Sequence, residues 1–406
     1  MKRVLVAIQT PVFGGPHNQL NRLAEPLRAR GWETVGLLPS EPGNGSARLE
    51  NNGIPVLKTP MHRMRARWEP RFHFEFLYRF RQEVESIRRI LRDQRADVVQ
   101  ICGLMNLQSA FAARLERIPL VWQLLGTFAP RPLRWTLMPL VVRMADSLMT
   151  VGPQVTRAHP GAGRFGNRLF EFLPPVDCSR FRPDDRERLQ ARKKLQVPAG
   201  GVLIGTLGNR NRIKGHEFLV DAAQILRQGF PNLYFRVLGS FTSANAGFYA
   251  KRVHRRVMDL GLHADRRFAF YDPGSRVENF LPGFDLFVLP SRQEGTPTSL
   301  MEAMASGLPV VATDVGNVRK MIEEGVTGFV VPPRCPEALA RRLADLLREP
   351  GRAMEMGAAA RRHAVKNFDV EKCADLHVQA YRKAQEVRLG NPSDRGSLPV
   401  SLRANR

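Results

Sequence analysis

The chain is poor in cysteine. Cys102, Cys178, Cys335 and Cys373 are scattered over 406 positions and form no C-x-x-C pair. That argues against a disulfide framework or a cysteine metal knuckle, and it suits a reducing compartment. Long apolar runs are missing as well. The richest stretch, Leu133 to Val151, is broken by Arg134, Arg143 and Asp146, so no bilayer-spanning helix is expected. The run Val4 to Ile8 is too short for the apolar part of a secretion signal and suits a buried first strand. No D-x-D triplet occurs, so a chelating aspartate pair is not expected, and no Ser/His/Asp or Cys/His arrangement suggests a covalent hydrolase.

Acid is the scarce charge. Asp and Glu number 38 against 62 Lys and Arg, a formal net charge of +24. Arg dominates the excess, and genomic base composition produces that as readily as an anionic partner does. A field of this sign draws a protein to anionic surfaces. Zinc-finger spacing, an RNP1-like strand and a basic-leucine repeat are all missing, so a membrane surface is the expected partner and nucleic acid is not.

What remains is globular, 43% hydrophobic and 25% charged, and long enough for two domains with full cores. Two series of short apolar strands alternate with helices, which predicts two doubly wound parallel α/β sheets. The first series reads Val4–Ile8, WETVGLL, ADVVQIC, IPLVWQLLG and DSLMTVG, five or so strands. The second reads VLIGTLG, LYFRVLG, FAFYD, FDLFVL, PVVAT and GFVVPP. Between them, Leu173 to Gly201 is charge-dense and flanked by Pro and Gly, as an interdomain connection with one helix over Arg186 to Leu195 would be. The expected division is 1–176, a connection at 177–200, and 201–368, followed by a helix at about 369–390 and a disordered tail at 391–406.

The stretch Phe284 to Gly316 organises the chemistry. FDLFVL is a buried strand, Ser291 to Gly295 a polar loop, Thr296 an expected N-cap, and Pro297 fits the first helical position. Glu294 falls at the carboxyl end of a strand, where open α/β sheets bind ligands. Glu302 shares a helix face with Thr298, Ser299 and Ser306 and leans back over the first turn. The N–H groups of Thr298 and Ser299 there favour a phosphate. An ordinary wet helix stripe has the same spacing.

The whole string discriminates. Glu-Gly-Thr-Pro-x-Ser-Leu-x-Glu-Ala-Met-Ala-x-Gly-Leu-Pro-Val-Val-Ala-Thr-Asp-x-Gly, from Glu294 to Gly316, resembles the donor-site signature of the retaining family 4 glycosyltransferases. The likeness continues through Gly325, Thr327, Gly328 and Phe329 to Pro332 and Pro333, and PPVD-x-x-x-F-x-P matches at the domain boundary. The resemblance implies the GT-B fold, two facing Rossmann-like domains, with the terminal helix crossing back onto the first. It implies a nucleotide-diphosphate-sugar donor as substrate, retention of configuration, and neither cofactor nor metal. Glu302 would hold the ribose diol and Glu294 the donor sugar. Gly295, Thr296, Pro297, Thr298 and Ser299 would line the donor, and the Gly14–Gly15 loop would face it.

After VLIGTLG, Lys214 followed by Gly215 matches the family's diphosphate-binding Lys, which makes Lys214 and Glu294 the candidate catalytic pair. The usual Arg position is Asn209, which leaves Arg210 or Arg212 for that task. Gln123, Leu124, Leu125 and Gly126 stand where many relatives carry a histidine. His17 and His216 lie in loops that could face a ligand, as surface histidines also do. The acceptor implied is a hydroxyl, lipid-linked or in a cell-envelope glycan, reached from the cytoplasmic face of the membrane. Met61 to Phe74, where Arg63, Arg65, Arg67 and Arg71 alternate with Met and aromatic residues, has interfacial composition; a solvated loop has it too. Two other readings stay open: a non-catalytic membrane-associated partner subunit, and a nucleotide-sugar epimerase on the same scaffold.

Overall fold

The computed structural model describes residues 1–62, 70–127, 129–240, 246–274 and 276–390. The chain divides into two units, Met1–Pro175 with Val370–Arg406, and Val176–Asp369.

The first unit holds seven strands: β1 Lys2–Ile8, β2 Trp32–Pro39, β3 Val56–Thr59, β4 Val98–Cys102, β5 Leu120–Leu124, β6 Ser147–Val151 and β7 Leu169–Phe172. Their order is β3-β2-β1-β4-β5-β6-β7, and every pairing is parallel. The sequence suggested about five. β3 and β7 escaped because each is four residues long and only partly buried, so neither forms a continuous apolar run. Helices cover the sheet, and Leu5, Val99, Val121 and Leu148 lie fully buried in it, as parallel strands do. In the helix Pro70–Asp93, Phe76, Val84, Ile87 and Leu91 are buried and Phe80 is half-buried, at spacings of three and four that form one apolar stripe. The expected interfacial segment falls mostly on 63–69, outside the described residues, and the expected tail at 391–406 lies wholly outside them.

The helix Val370–Leu389 belongs to this first unit and packs on the helix Gly15–Ala29. At its start Arg30 pairs with Glu371 and Asp375 at 2.6 and 2.7 Å. At its middle a buried polar chain fixes its register. Tyr381 Oη donates to Gln100 Oε1 at 2.6 Å, and Gln100 Nε2 donates to Gln123 Oε1 at 3.2 Å. The amides of Gln19 and Gln123 reach His377 Nε2 at 3.0 and 3.2 Å, while His377 Nδ1 donates to Cys373 O at 2.7 Å. That pattern needs a neutral imidazole, and burial pushes the His377 pKa down to about 4. Between pH 6.5 and that value the unfolded chain carries a proton that the folded chain does not, so stability falls as pH falls. Urea unfolding of wild type should lose about 2 kcal/mol between pH 7.5 and 5 from this group, and His377→Gln should remove that share of the slope. An unchanged slope in the variant would show that the ring titrates normally in the folded state.

The second unit holds six strands, β8 Val202–Leu207, β9 Leu233–Leu238, β10 Phe268–Tyr271, β11 Leu286–Leu289, β12 Val310–Thr313 and β13 Gly328–Val331. Their order is β10-β9-β8-β11-β12-β13, again all parallel. The segment read as a connection, 177–200, lies inside this unit and is not a free linker. Asp184 caps its helix, Asp185–Lys194, by accepting from Arg186 N and Glu187 N. Arg192 Nη1 then pairs with Asp285 Oδ2 at 3.0 Å, and Arg188 Nη1 donates to the carbonyls of Pro282 and Phe284 at 3.1 and 3.0 Å. Composition misled here because the charges have partners that are distant in sequence.

Candidate functional site

Both sheets place a topological switch where strand order reverses, between β1 and β4 in the first unit and between β8 and β11 in the second. Ligands of doubly wound sheets bind at the carboxyl ends of strands flanking such a point. In the second unit the loops leaving β8 and β11 carry Lys214 and Glu294.

Those two loops are bonded into one block. Lys214 Nζ lies 2.7 Å from Glu294 Oε1, and Ser291 Oγ donates to the same oxygen at 2.7 Å. Arg292 N donates to Ile213 O at 2.7 Å, and Arg292 Nε donates to Glu217 Oε1 at 2.6 Å. Gly215 has φ +63°, and a Cβ there would overlap the carbonyl oxygen of Pro290. Glycine at this position lets the β8 loop touch the backbone after β11.

The loop after β12 fixes the other side. Asn317 N donates to Gly295 O at 2.9 Å, and Asn317 Nδ2 donates to Thr296 Oγ1 at 2.8 Å. Gly316, at φ +57°, leaves no room for a Cβ against the carbonyls of Glu294 and Gly295. Thr296 is therefore not the N-cap that its sequence position predicts. The helix is Thr298–Ala305, and Pro297, in extended conformation at ψ 105°, precedes it without a side-chain cap. The start of the helix leaves the N–H groups of Thr298 and Ser299 without intrahelical acceptors. The Ser299 hydroxyl is buried and has no hydrogen-bond partner, an orphaned donor beside those two N–H groups. One turn further in, Glu302 is also buried. This arrangement can take a phosphate at the helix tip and hydroxyl groups on the carboxylates.

The other predicted residues are placed less uniformly. Arg210 Nε donates to Gly239 O at 2.9 Å, and its guanidinium lies 5.6 Å from the Phe270 ring centroid. Arg212 is exposed, 5.7 Å from the Phe248 ring centroid. Asn209 is exposed. His216 is buried, with Nδ1 2.5 Å from Tyr249 Oη, and burial with nearby Lys214 and Arg210 pushes its pKa down to about 3. In the first unit, Gly14 and Gly15 lie where the β1 loop enters the helix Gly15–Ala29. Gly14 has an extended φ of −151°, and a Cβ at Gly15 would meet nothing within 4 Å, so neither conformation nor packing inside the unit requires glycine there. His17 is buried and its Nδ1 accepts from Gly14 N at 3.2 Å; burial lowers its pKa. Gln123 is buried inside the first sheet, bonded towards His377.

Sequence reasoning missed Ser291, Thr313 and Asn317, which hold Glu294, the end of β11 and Thr296 in place. All three lie in or beside the Phe284–Gly316 stretch, but their partners could not be read from spacing. Among the described residues, no group of three or more His, Cys, Asp or Glu side chains is placed to hold a metal ion.

Comparison with known proteins finds relatives for both units. The family described as glycosyl transferases group 1 matches residues 187–363, and the glycosyl transferase 4-like domain matches residues 14–170. A D-inositol 3-phosphate glycosyltransferase of Corynebacterium urealyticum is 28% identical over 258 residues, 63% of this chain and 61% of that protein. The enzyme of the same name from Rhodococcus erythropolis is 31% identical, over 63% of this chain and 58% of that protein. A GDP-mannose-dependent alpha-(1-6)-phosphatidylinositol monomannoside mannosyltransferase of Mycolicibacterium smegmatis is 28% identical, over 58% of this chain and 63% of that protein. The chain thus spans 61% and 58% of the length of the first two of these curated relatives. Among solved structures, a glycosyltransferase from Rickettsia africae superimposes with TM-score 0.80 at 18% identity, covering 95% of this chain and 99% of that one. Anabaena Alr3699/HepE in complex with UDP gives TM-score 0.77 at 21% identity, covering 93% and 98%. At these identities the structural likeness establishes the fold. With a family match on each of its two parallel-sheet domains, the chain belongs to the group 1, family 4 glycosyltransferases of GT-B fold.

Proposed function

We propose that the protein moves a sugar from a nucleoside-diphosphate sugar to a hydroxyl acceptor, with retention of configuration and without a metal or other cofactor. The observation that carries this reading is the Lys214–Glu294–Ser291 cluster at the β8/β11 switch, next to a helix start with an unpartnered buried Ser299 hydroxyl. In this reading Lys214 and the helix N-terminus neutralise the leaving diphosphate, Glu302 takes the ribose diol, and Glu294 orients the donor sugar. Arg210 is a second diphosphate ligand once it leaves the Gly239 carbonyl. Gly295, Thr296, Pro297 and Thr298 line the donor through backbone. The test is donor consumption with UDP-glucose and GDP-mannose in EDTA, with the anomer of the transferred sugar read by NMR. Inversion, or loss of all turnover in EDTA, would overturn the mechanism.

The acceptor we place at a membrane, lipid-linked or in an envelope glycan, with the protein peripheral on the inner face. The Mycolicibacterium smegmatis relative is named as a phosphatidylinositol monomannoside mannosyltransferase. Among the described residues no helix is long and apolar enough to cross a membrane. The helix Pro70–Asp93 does expose Phe74, Leu77 and Tyr78, at 73, 71 and 74% of their surface, shortly after the Arg-rich segment in sequence. Each Arg near an anionic surface contributes about 1 kcal/mol, and the apolar side chains add interfacial burial. Co-sedimentation with phosphatidylglycerol vesicles should exceed that with phosphatidylcholine vesicles and weaken with salt. It should fall when Arg63, Arg65, Arg67 and Arg71 become Ser. Binding unchanged by that substitution, or no binding at all, would mean that the acceptor is soluble or reached another way.

A further inference from the structure

We propose that Ser291 is a positioning residue for Glu294, held in turn by Thr313; this rests on the functional reading above. Ser291 is fully buried at the carboxyl end of β11. Its hydroxyl donates to Glu294 Oε1 at 2.7 Å, the oxygen that Lys214 Nζ also contacts at 2.7 Å. Its carbonyl oxygen accepts from Thr313 Oγ1 at 2.7 Å, and that hydroxyl also lies 3.2 Å from Leu289 O, so the end of β12 clamps the chain leaving β11.

The two donors on Oε1 are not equivalent. Lys214 is a flexible cation, and an incoming diphosphate competes for it. Ser291 is short, buried and fixed by backbone on both sides, so its bond survives when Lys214 turns to phosphate. With Oε1 held by Ser291, Oε2 is the oxygen left to accept from a sugar hydroxyl. Orientation of the carboxylate is then set by β11 and β12 and not by the ligand, which is how preorganisation lowers a barrier.

The experiment is a double-mutant cycle on Ser291 and Glu294, measuring kcat for UDP-glucose and GDP-mannose consumption, with UDP and GDP affinity measured separately by thermal shift. Ser291→Ala should lower kcat about 10- to 100-fold, the range of a hydrogen bond to a charged group, and leave nucleoside diphosphate affinity within about twofold. Ser291→Thr, which keeps the hydroxyl, should recover most of the rate. On a Glu294→Gln background, Ser291→Ala should cost little more, because it acts through the same carboxylate. Undiminished loss on that background, equal loss of kcat and diphosphate affinity, or wild-type kcat in Ser291→Ala would each overturn this inference alone. A Glu294→Gln variant with wild-type kcat, or wild type that consumes neither sugar nucleotide, would overturn the functional reading and this inference with it.

Discussion

Glu294→Ala is expected to abolish turnover while the protein still binds nucleoside diphosphate, and Glu302→Gln to weaken nucleotide binding first. The two carboxylates differ in position and so in partner. Glu294 sits in the loop after β11, bonded to Lys214 and Ser291, and is proposed to meet the sugar. Glu302 is buried one turn into the helix Thr298–Ala305 and is proposed to meet the ribose. A hydrogen bond to a charged group contributes about 1.5–3 kcal/mol, so Glu302→Gln should raise the Kd for nucleoside diphosphate about 10- to 100-fold. Removing Glu294 frees Lys214 for phosphate, so UDP or GDP affinity should hold or improve slightly while kcat falls below detection. Isothermal titration with the diphosphates, set beside donor consumption, separates the two effects. Both variants behaving as wild type would mean that the site is elsewhere.

The second large effect comes from a residue without a side chain. Gly215→Ala should destabilise the second unit and disable the site together. The substitution forces a left-handed φ of +63° on alanine and drives its Cβ into the carbonyl of Pro290. The conformational part alone costs about 1–2 kcal/mol, and relief of the overlap requires the β8 and β11 loops to part. Their separation stretches the bond between Arg292 N and Ile213 O, now 2.7 Å, and draws Lys214 away from Glu294. We expect a total loss on the order of 3 kcal/mol in urea unfolding, with donor consumption reduced more than 100-fold. A Gly229→Ala control, at a position where a Cβ meets nothing within 4 Å, should leave both nearly unchanged. If Gly215→Ala unfolds and turns over as wild type does, the two loops are not locked together.

The sequence by itself determined the fold class and the strand–loop–helix order of Phe284 to Gly316. Buried parallel strands such as β1, β8 and β11 are continuous apolar runs because both faces are covered, and that pattern is local. The loop position of Glu294 and the helical positions of Thr298, Ser299 and Glu302 were legible for the same reason, since loop and helix follow directly on β11. The edge strands β3 and β7 were not, because four residues with one wet face leave no run to read. Nor was the place of 177–200, whose Arg188 and Arg192 look like linker charge until Asp285 and the carbonyls ahead of β11 are set beside them. Tertiary structure alone brought Lys214 to Glu294, 80 residues apart, because strand order reverses between β8 and β11. It also moved the start of the helix past Thr296, whose hydroxyl went to Asn317, a partner supplied by the loop after β12. Hydrogen bonds between loops depend on which strands are neighbours in the sheet, and sheet order is a long-range property that local patterning does not encode.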